Sequence, residues 1–386
     1  MSYDRFIEEL NKRYKITDPQ QLDGLRLQNY SFASDTRDRG FKFIESMEKE
    51  AGFDFRGARV LDVGCAYGGF CIEAAKKGAM AYGIDLDPKL LELAMINAKD
   101  EDVGGEIYFF KIDATSNDLL KLVPHNFDFV VVNDVFEHVY DTSRLLENIN
   151  LVTAPDALLY FEIPNGMCMR FIRSEGHRWV PGISTMAPSY WRYRLKEHFN
   201  IYYRCWDYYT ALLSYYGFGD IRLLNFGKTF DGDRKQLTKH LEVELEDIKK
   251  VISADLERED SIEQTYREAL LTRIIEVEKE MQDDLNLLSD AELCWKYLTA
   301  FWKGIAVKCS DSSDVAKQRK LLRVGFSATE QVVRQVVKDS FSYRLGSMLV
   351  QAVYKPGRNT ILLPYRLLRL CIAGFKKRRN NALCTL

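Results

Sequence analysis

Between Arg59 and Phe226 the chain alternates short apolar runs with stretches of helical periodicity, and this rhythm restricts its fold more than any other feature. "ARVLDV" reads as a buried strand and "GFCIEAAKKG" as the helix after it; "AMAYGID" and "PKLLELAMINAKD" repeat the pair. "GEIYFFKID" is a third strand. "FDFVVVND" is a fourth, with "SRLLENINLVT" as its helix, and "ALLYFEIP" is a fifth. Near-continuous apolar runs mark strands covered on both faces. Their alternation with helices predicts an α/β fold, a Rossmann-like, doubly wound, mostly parallel sheet. Residues before Arg59 read as a helical lead-in, with "GFKFIESMEKEAG" its clearest helix.

The first strand runs into the turn of "VLDVGCAYGGF", with glycines at Gly64, Gly68 and Gly69. Such a turn lets backbone approach a ligand closely. Dinucleotides and S-adenosylmethionine are the two common cofactors that use it. The dinucleotide fingerprint needs G-x-G-x-x-G and a pyrophosphate over the helix N-terminus. The order here fails that spacing, and Asp62 fits poorly beside a pyrophosphate. A carboxylate there suits a cationic ligand such as a sulfonium amino acid.

Asp62-Val63-Gly64-Cys65-Ala66-Tyr67-Gly68 resembles the first motif of class I S-adenosylmethionine-dependent methyltransferases, whose usual form is D-x-G-C-G-x-G. Ala66 stands where the middle glycine usually sits. The resemblance implies that Asp62, Gly64, Cys65, Ala66 and Gly68 border S-adenosyl-L-methionine. "YGIDLDP" places Asp85, with Leu86 beside it, where the family's acid accepts from both ribose hydroxyls. Asp87 reads equally as the N-cap of the next helix, with Pro88 in its first turn. "KIDAT" places Asp113 and Ala114 where the family holds the adenine amino group. "VVVNDVFEHV" ends the fourth strand at Asn133 and Asp134, followed by Glu137 and His138; it resembles the D-V-L-E-H-V element of the small-molecule methyltransferases related to ubiquinone biosynthesis. "DYYTALLSYYGFGDIRLL" resembles that family's late helix and the strand after it. The resemblance spans about Arg37 to Phe226, and its weight lies in four motifs falling in order.

Methyl transfer needs a positioned nucleophile, and a hydroxyl nucleophile needs a base. His138 is the first candidate; the alternative is that it only orders its loop. His177, in "RSEGHRWVPGIS", is the second, in an insertion after the fifth strand where this family often builds its substrate lid. Tyr67 reads as a residue near the methionine end or as packing. Arg37 or Arg39 could pair with the methionine carboxylate, against the reading of a surface arginine, while His125 reads as surface. The insertion, from Asn165 to about Tyr209, interleaves arginines with aromatics, a mixture suited to a sugar or a phosphorylated acceptor.

From Asp231 to Asp290 the composition changes. Apolar residues recur at three and four from Leu237 to Leu285, which predicts long amphipathic helices. They could form a hairpin on the first domain or a dimer-forming coiled coil, hence a homodimer. After Asp290 a mixed helical region is expected. Its end, from Lys355 to Asn380, has eight basic residues and no acid. This tail loosely resembles those of bacterial surface-polysaccharide enzymes, and a basic amphipathic segment can lie on an anionic membrane surface. The expected organisation is 1–228 methyltransferase domain, 229–292 helical segment, and 293–386 helical C-terminal region.

The net charge of -2 argues against nucleic-acid binding. No C-x-x-C pair occurs among the eight cysteines, and no metal is called for. The N-terminal residues carry no signal-peptide core, and no apolar window approaches membrane-spanning length. A cytoplasmic setting is expected, with peripheral attachment at the inner membrane face through the tail. The expected activity is O-methylation of a glycan or lipid-linked saccharide in surface-polysaccharide assembly. The alternatives are a small aromatic or quinone-like acceptor, and a non-catalytic membrane-associated scaffold.

Overall fold

The computed structural model describes residues 4–309, apart from 102, 104, 105, 196–198, 228 and 259–261. Three helices lead in: α1 (Arg5–Tyr14), α2 (Gly24–Ser34) and α3 (Thr36–Ser46). Strands and helices then alternate as β1 (Arg59–Val63), α4 (Gly69–Lys76), β2 (Met80–Asp85), α5 (Pro88–Asp100), β3 (Ile107–Lys111), α6 (Asp118–Leu122), β4 (Phe127–Asn133), α7 (Thr142–Val152) and β5 (Thr153–Pro164). The insertion after β5 contains the short helices α8 (Met169–Arg173) and α9 (Pro188–Trp191). Then come α10 (Trp206–Tyr215), β6 (Phe218–Leu223), the long α11 (Arg234–Arg258) and α12 (Gln264–Leu287), α13 (Asp290–Leu293) and β7 (Phe301–Lys308).

The strands form one sheet in the order β3-β2-β1-β4-β5-β7-β6. β1 to β5 pair in parallel, and β7 runs antiparallel to both β5 and β6. The alternating side chains of a strand feed two cores. Leu61 and Val63 enter one with Val130, Val132 and Leu145; Val60 enters the other with Ala81, Phe129 and Val131. The chain winds outward from β1 through β2 to β3, then restarts at β4 on the other side of β1. The crevice at the carboxyl ends of β1 and β4 is therefore the expected ligand position in such a sheet.

The region after Asp290 departs from the helical expectation. Helical backbone ends at Leu298, and Phe301–Lys308 is a strand slotted between β5 and β6. The sheet is thus completed after the helical segment, so a boundary at residue 228 does not close it. Gly304 allows this packing: a Cβ there would lie 2.3 Å from Cζ of Phe161 on β5.

The apolar stripe of α11 and α12 is buried within the chain, as a hairpin. Leu237, Leu241, Leu245, Ile248 and Ile252 face Tyr266, Leu270, Ile274, Val277 and Met281, and both rows share a core with Met169, Ile172, Ile183 and Trp191 of the insertion. Each leucine or isoleucine so buried contributes about 1.5–3 kcal/mol. A near-buried ion pair, Arg194 to Asp255 at 3.1 Å, ties the insertion to α11. Among the described residues no helix is long and apolar enough to cross a membrane. The basic tail from Lys355 lies outside the described residues.

Candidate active site

The turn after β1 is built from backbone. Gly64 and Cys65 both donate to the Ile84 carbonyl, at 2.8 and 3.0 Å, and Gly68 N–H donates to Cys65 O at 2.8 Å. Gly64 has φ +78°, and a Cβ there would lie 2.6 Å from Val135 Cγ2. Ala66 also has positive φ, 46°, which explains why a glycine usually stands there. Its N–H donates to Asp85 Oδ2 at 3.0 Å, which holds the alanine in place. Asp62 lies beneath the turn, 6% exposed, with Cys71 Sγ 3.9 Å from its Oδ2. Burial, and then repulsion from Asp85, push its carboxyl up to about 7 against the weak pull of Cys71.

Asp85 ends β2 and is half-buried; its other oxygen accepts Asp87 N–H at 2.9 Å. Asp87 itself caps α5, accepting from Lys89 N–H at 2.8 Å. Leu86 is 63% exposed, an apolar side chain left uncovered at the carboxyl end of the sheet. Asp113 is exposed beyond β3, its Oδ1 accepting from Thr115 N and Oγ1. Ala114 O is engaged by Asn148. Asn133 ends β4 and donates to Asp134 Oδ2 at 3.1 Å. A carboxylate for ribose hydroxyls, an exposed leucine for a base and a further acid for its amino group are a donor-acceptor set that fits an adenosine moiety. The turn, with Asp62 below it, fits a cationic methionine end. Two other candidates are occupied. Tyr67 packs beneath α1, its hydroxyl 2.8 Å from that of Tyr14, and Arg37 is held by Asn97, Asp4 and Glu101. Arg39 lies over the Phe32 ring at 3.6 Å and donates to Phe32 O. His125 is exposed, beside Leu120 O.

The two candidate histidines, from separate segments, come together. Their rings meet edge to face with centroids 5.1 Å apart. His138 lies on the short turn after β4, where burial, and then repulsion from His177, push its imidazole down to about 4. His177 is held by Glu175, which is fully buried. Glu175 Oε1 accepts from His177 Nδ1 at 2.7 Å and from Tyr203 OH at 2.5 Å, and Oε2 accepts from the N–H groups of His177 and Arg178 at 2.8 and 2.6 Å. Burial alone would push Glu175 up, but the hydrogen bonds from His177, Tyr203 and Arg178 outweigh it and hold the carboxyl below its ordinary range.

Behind the histidines is a group of carboxylates, of which Glu137 is buried and Asp134 and Glu162 are half-buried. Asp134, in a left-handed conformation with φ 52°, and Glu137 each keep one buried oxygen with no hydrogen-bond partner. Burial, and then mutual repulsion with neighbouring acids, pushes both carboxyls up. Glu162 on β5 is neutralised by Lys303 of β7 at 2.8 Å. Glu137, His138 and His177 offer donor atoms within 4.8 Å of one another, a spacing a single cation would fit. Glu175, Tyr203, Glu162 and Lys303 do not stand out in the sequence. Only the "EGH" spacing of Glu175 and His177 offered a local cue.

Residues 34–221 match a family model described as a methyltransferase domain. A ubiquinone biosynthesis O-methyltransferase of Neisseria meningitidis serogroup C is 33% identical over 114 residues, 29% of this chain and 46% of that protein. One from Coxiella burnetii is 30% identical over 125 residues, 32% of this chain and 49% of that protein. The chain thus spans about half the length of the curated relatives it matches. Among solved structures, the magnesium protoporphyrin IX methyltransferase of Synechocystis, with S-adenosylhomocysteine bound, aligns at 16% identity and a TM-score of 0.40, over 57% of this chain and 89% of that one. A Haemonchus contortus phosphoethanolamine N-methyltransferase aligns at 17% identity and 0.39, over 79% and 60%.

Proposed function

We propose that residues 34–221, a class I S-adenosylmethionine-dependent methyltransferase domain, bind that cofactor at the carboxyl ends of β1 to β4 and methylate a hydroxyl oxygen of an acceptor held under the insertion. The observation that carries this reading is the buried Glu175 carboxylate gripping His177 beside His138. Asp85 would hold the ribose, Leu86 and Asp113 the adenine, and the Gly64–Gly68 turn the methionine end. When bound, S-adenosylmethionine supplies an electrophilic methyl group on a sulfonium and departs as a neutral thioether. The chain's own part is orientation and proton handling. Glu175 fixes the Nδ1 edge of His177, which leaves Nε2 as the edge able to accept the hydroxyl proton. His138 packs against that ring and keeps water from one side of it.

The acceptor favoured is a glycan or lipid-linked saccharide, on the strength of the arginine- and aromatic-rich insertion and the basic tail. A second reading, a ring hydroxyl of a quinone-like metabolite, draws support from the curated relatives, which are ubiquinone biosynthesis O-methyltransferases. Calorimetry tests the cofactor assignment. Asp85→Ala should weaken S-adenosylhomocysteine binding by about ten- to a hundredfold, the loss expected for charge-assisted hydrogen bonds. Unchanged affinity in a folded variant would sink it. Mass spectrometry of glycans from cells with and without the gene decides between the acceptors.

A further inference from the structure

A cavity of about 430 Å³ opens where α8, α11 and the turn from Ser174 to Trp179 meet. That size falls within the range of small-molecule sites. Arg170 and Arg173 line it from α8, three residues apart and so on one face of the helix. His240 and Glu244 line it from α11, four apart, and Trp179 lines it from the turn.

Trp179 is the unusual member. It has φ 57°, a conformation bulky side chains seldom adopt, and it is nonetheless 45% exposed. Its N–H donates to the Glu175 carbonyl at 2.8 Å, so the residue that grips His177 by its side chain holds Trp179 by its backbone. Strain retained to present an exposed aromatic face points to a ligand for that face. The guanidiniums have capacity to spare. Arg173 pairs with Glu244 at 2.9 Å but keeps a buried Nε without a partner. Arg170 has no carboxylate partner among the described residues, only the Phe171 ring at 5.9 Å.

An aromatic platform beside a carboxylate and planar cations matches a sugar ring. The C–H face packs on indole, hydroxyls donate to a carboxylate, and an acidic substituent takes the guanidiniums. We propose that this cavity anchors the acceptor, and that it takes a sugar bearing an acidic group, phosphate or carboxylate. The ring lies on Trp179, hydroxyls meet Glu244 and His240, and the acidic group meets Arg170 and Arg173. The assignment rests on the methyltransferase reading above. Gly176 lines the same cavity and is the residue between Glu175 and His177, so the cavity shares its wall with the loop that carries both.

The test is calorimetry on the full chain with glucose 1-phosphate, glucuronate, glucose and inorganic phosphate as probes, and S-adenosylhomocysteine binding measured on the same samples. At least one acidic sugar should bind more tightly than either glucose or phosphate alone. Arg170→Ala and Trp179→Ala should each weaken it by about tenfold or more, with S-adenosylhomocysteine affinity unchanged. Preference for glucose 1-phosphate assigns the acidic group as phosphate, and preference for glucuronate as carboxylate. The subsite is refuted if neither acidic sugar binds, if both variants bind as the wild type does, or if inorganic phosphate binds as tightly as the best sugar. Loss of S-adenosylhomocysteine binding by the wild type would instead strike the methyltransferase reading, independently of how the sugars behave.

Discussion

Glu175→Gln replaces one oxygen of a fully buried carboxylate that accepts four hydrogen bonds, two on each oxygen. The donors on Oε2 are backbone N–H groups, which cannot become acceptors. The donors on Oε1 are His177 Nδ1 and Tyr203 OH, and both can. The glutamine oxygen must therefore take the Oε2 position and its NH2 the Oε1 position. Tyr203 rotates its hydroxyl to accept. His177 accepts at Nδ1 only by moving its ring proton to Nε2, the edge assigned as the base. The variant keeps its hydrogen bonds and loses the basic edge, the wrong-tautomer logic that applies to any carboxylate-oriented histidine base.

The stability cost follows from the same bonds. Exchanging charge-assisted for neutral hydrogen bonds at this site costs about 2–4 kcal/mol in total, against a domain stability of about 5–15 kcal/mol, so the variant should fold. Methyl transfer should fall by about two to four orders of magnitude, the usual cost of a lost general base. Transfer is read as label passing from methyl-labelled S-adenosylmethionine into a lipid-linked glycan fraction. The tautomer is read by nitrogen NMR of the imidazole. The pH dependence of stability reports the same carboxylate. Glu175 is held below its ordinary range, so its contribution is present above the unfolded carboxylate pKa and lost as pH falls through the folded value. The gap in melting temperature between wild type and variant should accordingly narrow in acid. A folded variant with normal turnover and a proton still on Nδ1 refutes the dyad.

Three further outcomes are expected. His138→Ala should reduce turnover far less than His177→Ala, because His138 packs on the base and does not take the proton; equal losses in steady-state assays would exchange the roles. Asp62, with its carboxyl raised from 3.8 to about 7 by burial, makes the cofactor-free fold lose stability as pH rises from about 4 to about 7, by as much as about 4 kcal/mol. Asp62→Asn should flatten that dependence in thermal melts at acid and alkaline pH, and an unchanged pH profile would remove the assignment. The full-length chain should pellet with anionic vesicles at low salt and release at high salt, since each basic residue near the surface contributes about 1 kcal/mol before screening. A chain ending before Lys355 should stay in the supernatant and still bind S-adenosylhomocysteine; if neither pellets, the tail is not a membrane contact.

Most of the residues proposed to hold the cofactor stand out in the sequence because they sit at or near a strand end followed by a turn. Asp85 and Asp113 are read from five or six neighbouring letters, and the sheet then brings those strand ends together. β7 was not legible in this way. "FWKGIAVK" has the aromatic and β-branched residues of a strand, but a helical hairpin separates it from β6, and Gly304 looks like a breaker. Only the Phe161 ring packed beneath it shows why a glycine is needed there. Glu175 hides for a related reason. In the sequence it is one acid in a polar loop; its role depends on Tyr203 arriving from beyond α9 to close the fourth hydrogen bond.

The proposed acceptor side depends on support that is remote in sequence. Asn165, at the root of the insertion, is fully buried and donates its amide to the carbonyls of Trp295, Lys296 and Thr299, just before β7. Further along, Arg194 reaches Asp255 on α11, and the insertion and the hairpin share one apolar core. The insertion is therefore braced at its root and along its length, so Glu175, His177 and Trp179 sit on packed structure. The family match ends at residue 221, before the first residue of that brace on the hairpin side. Relatives that share the cofactor half need not share the hairpin, and their acceptors are then a poor guide to this one. On the proposed reading, the chemistry of the acceptor is written in the cavity that the insertion and α11 build between them.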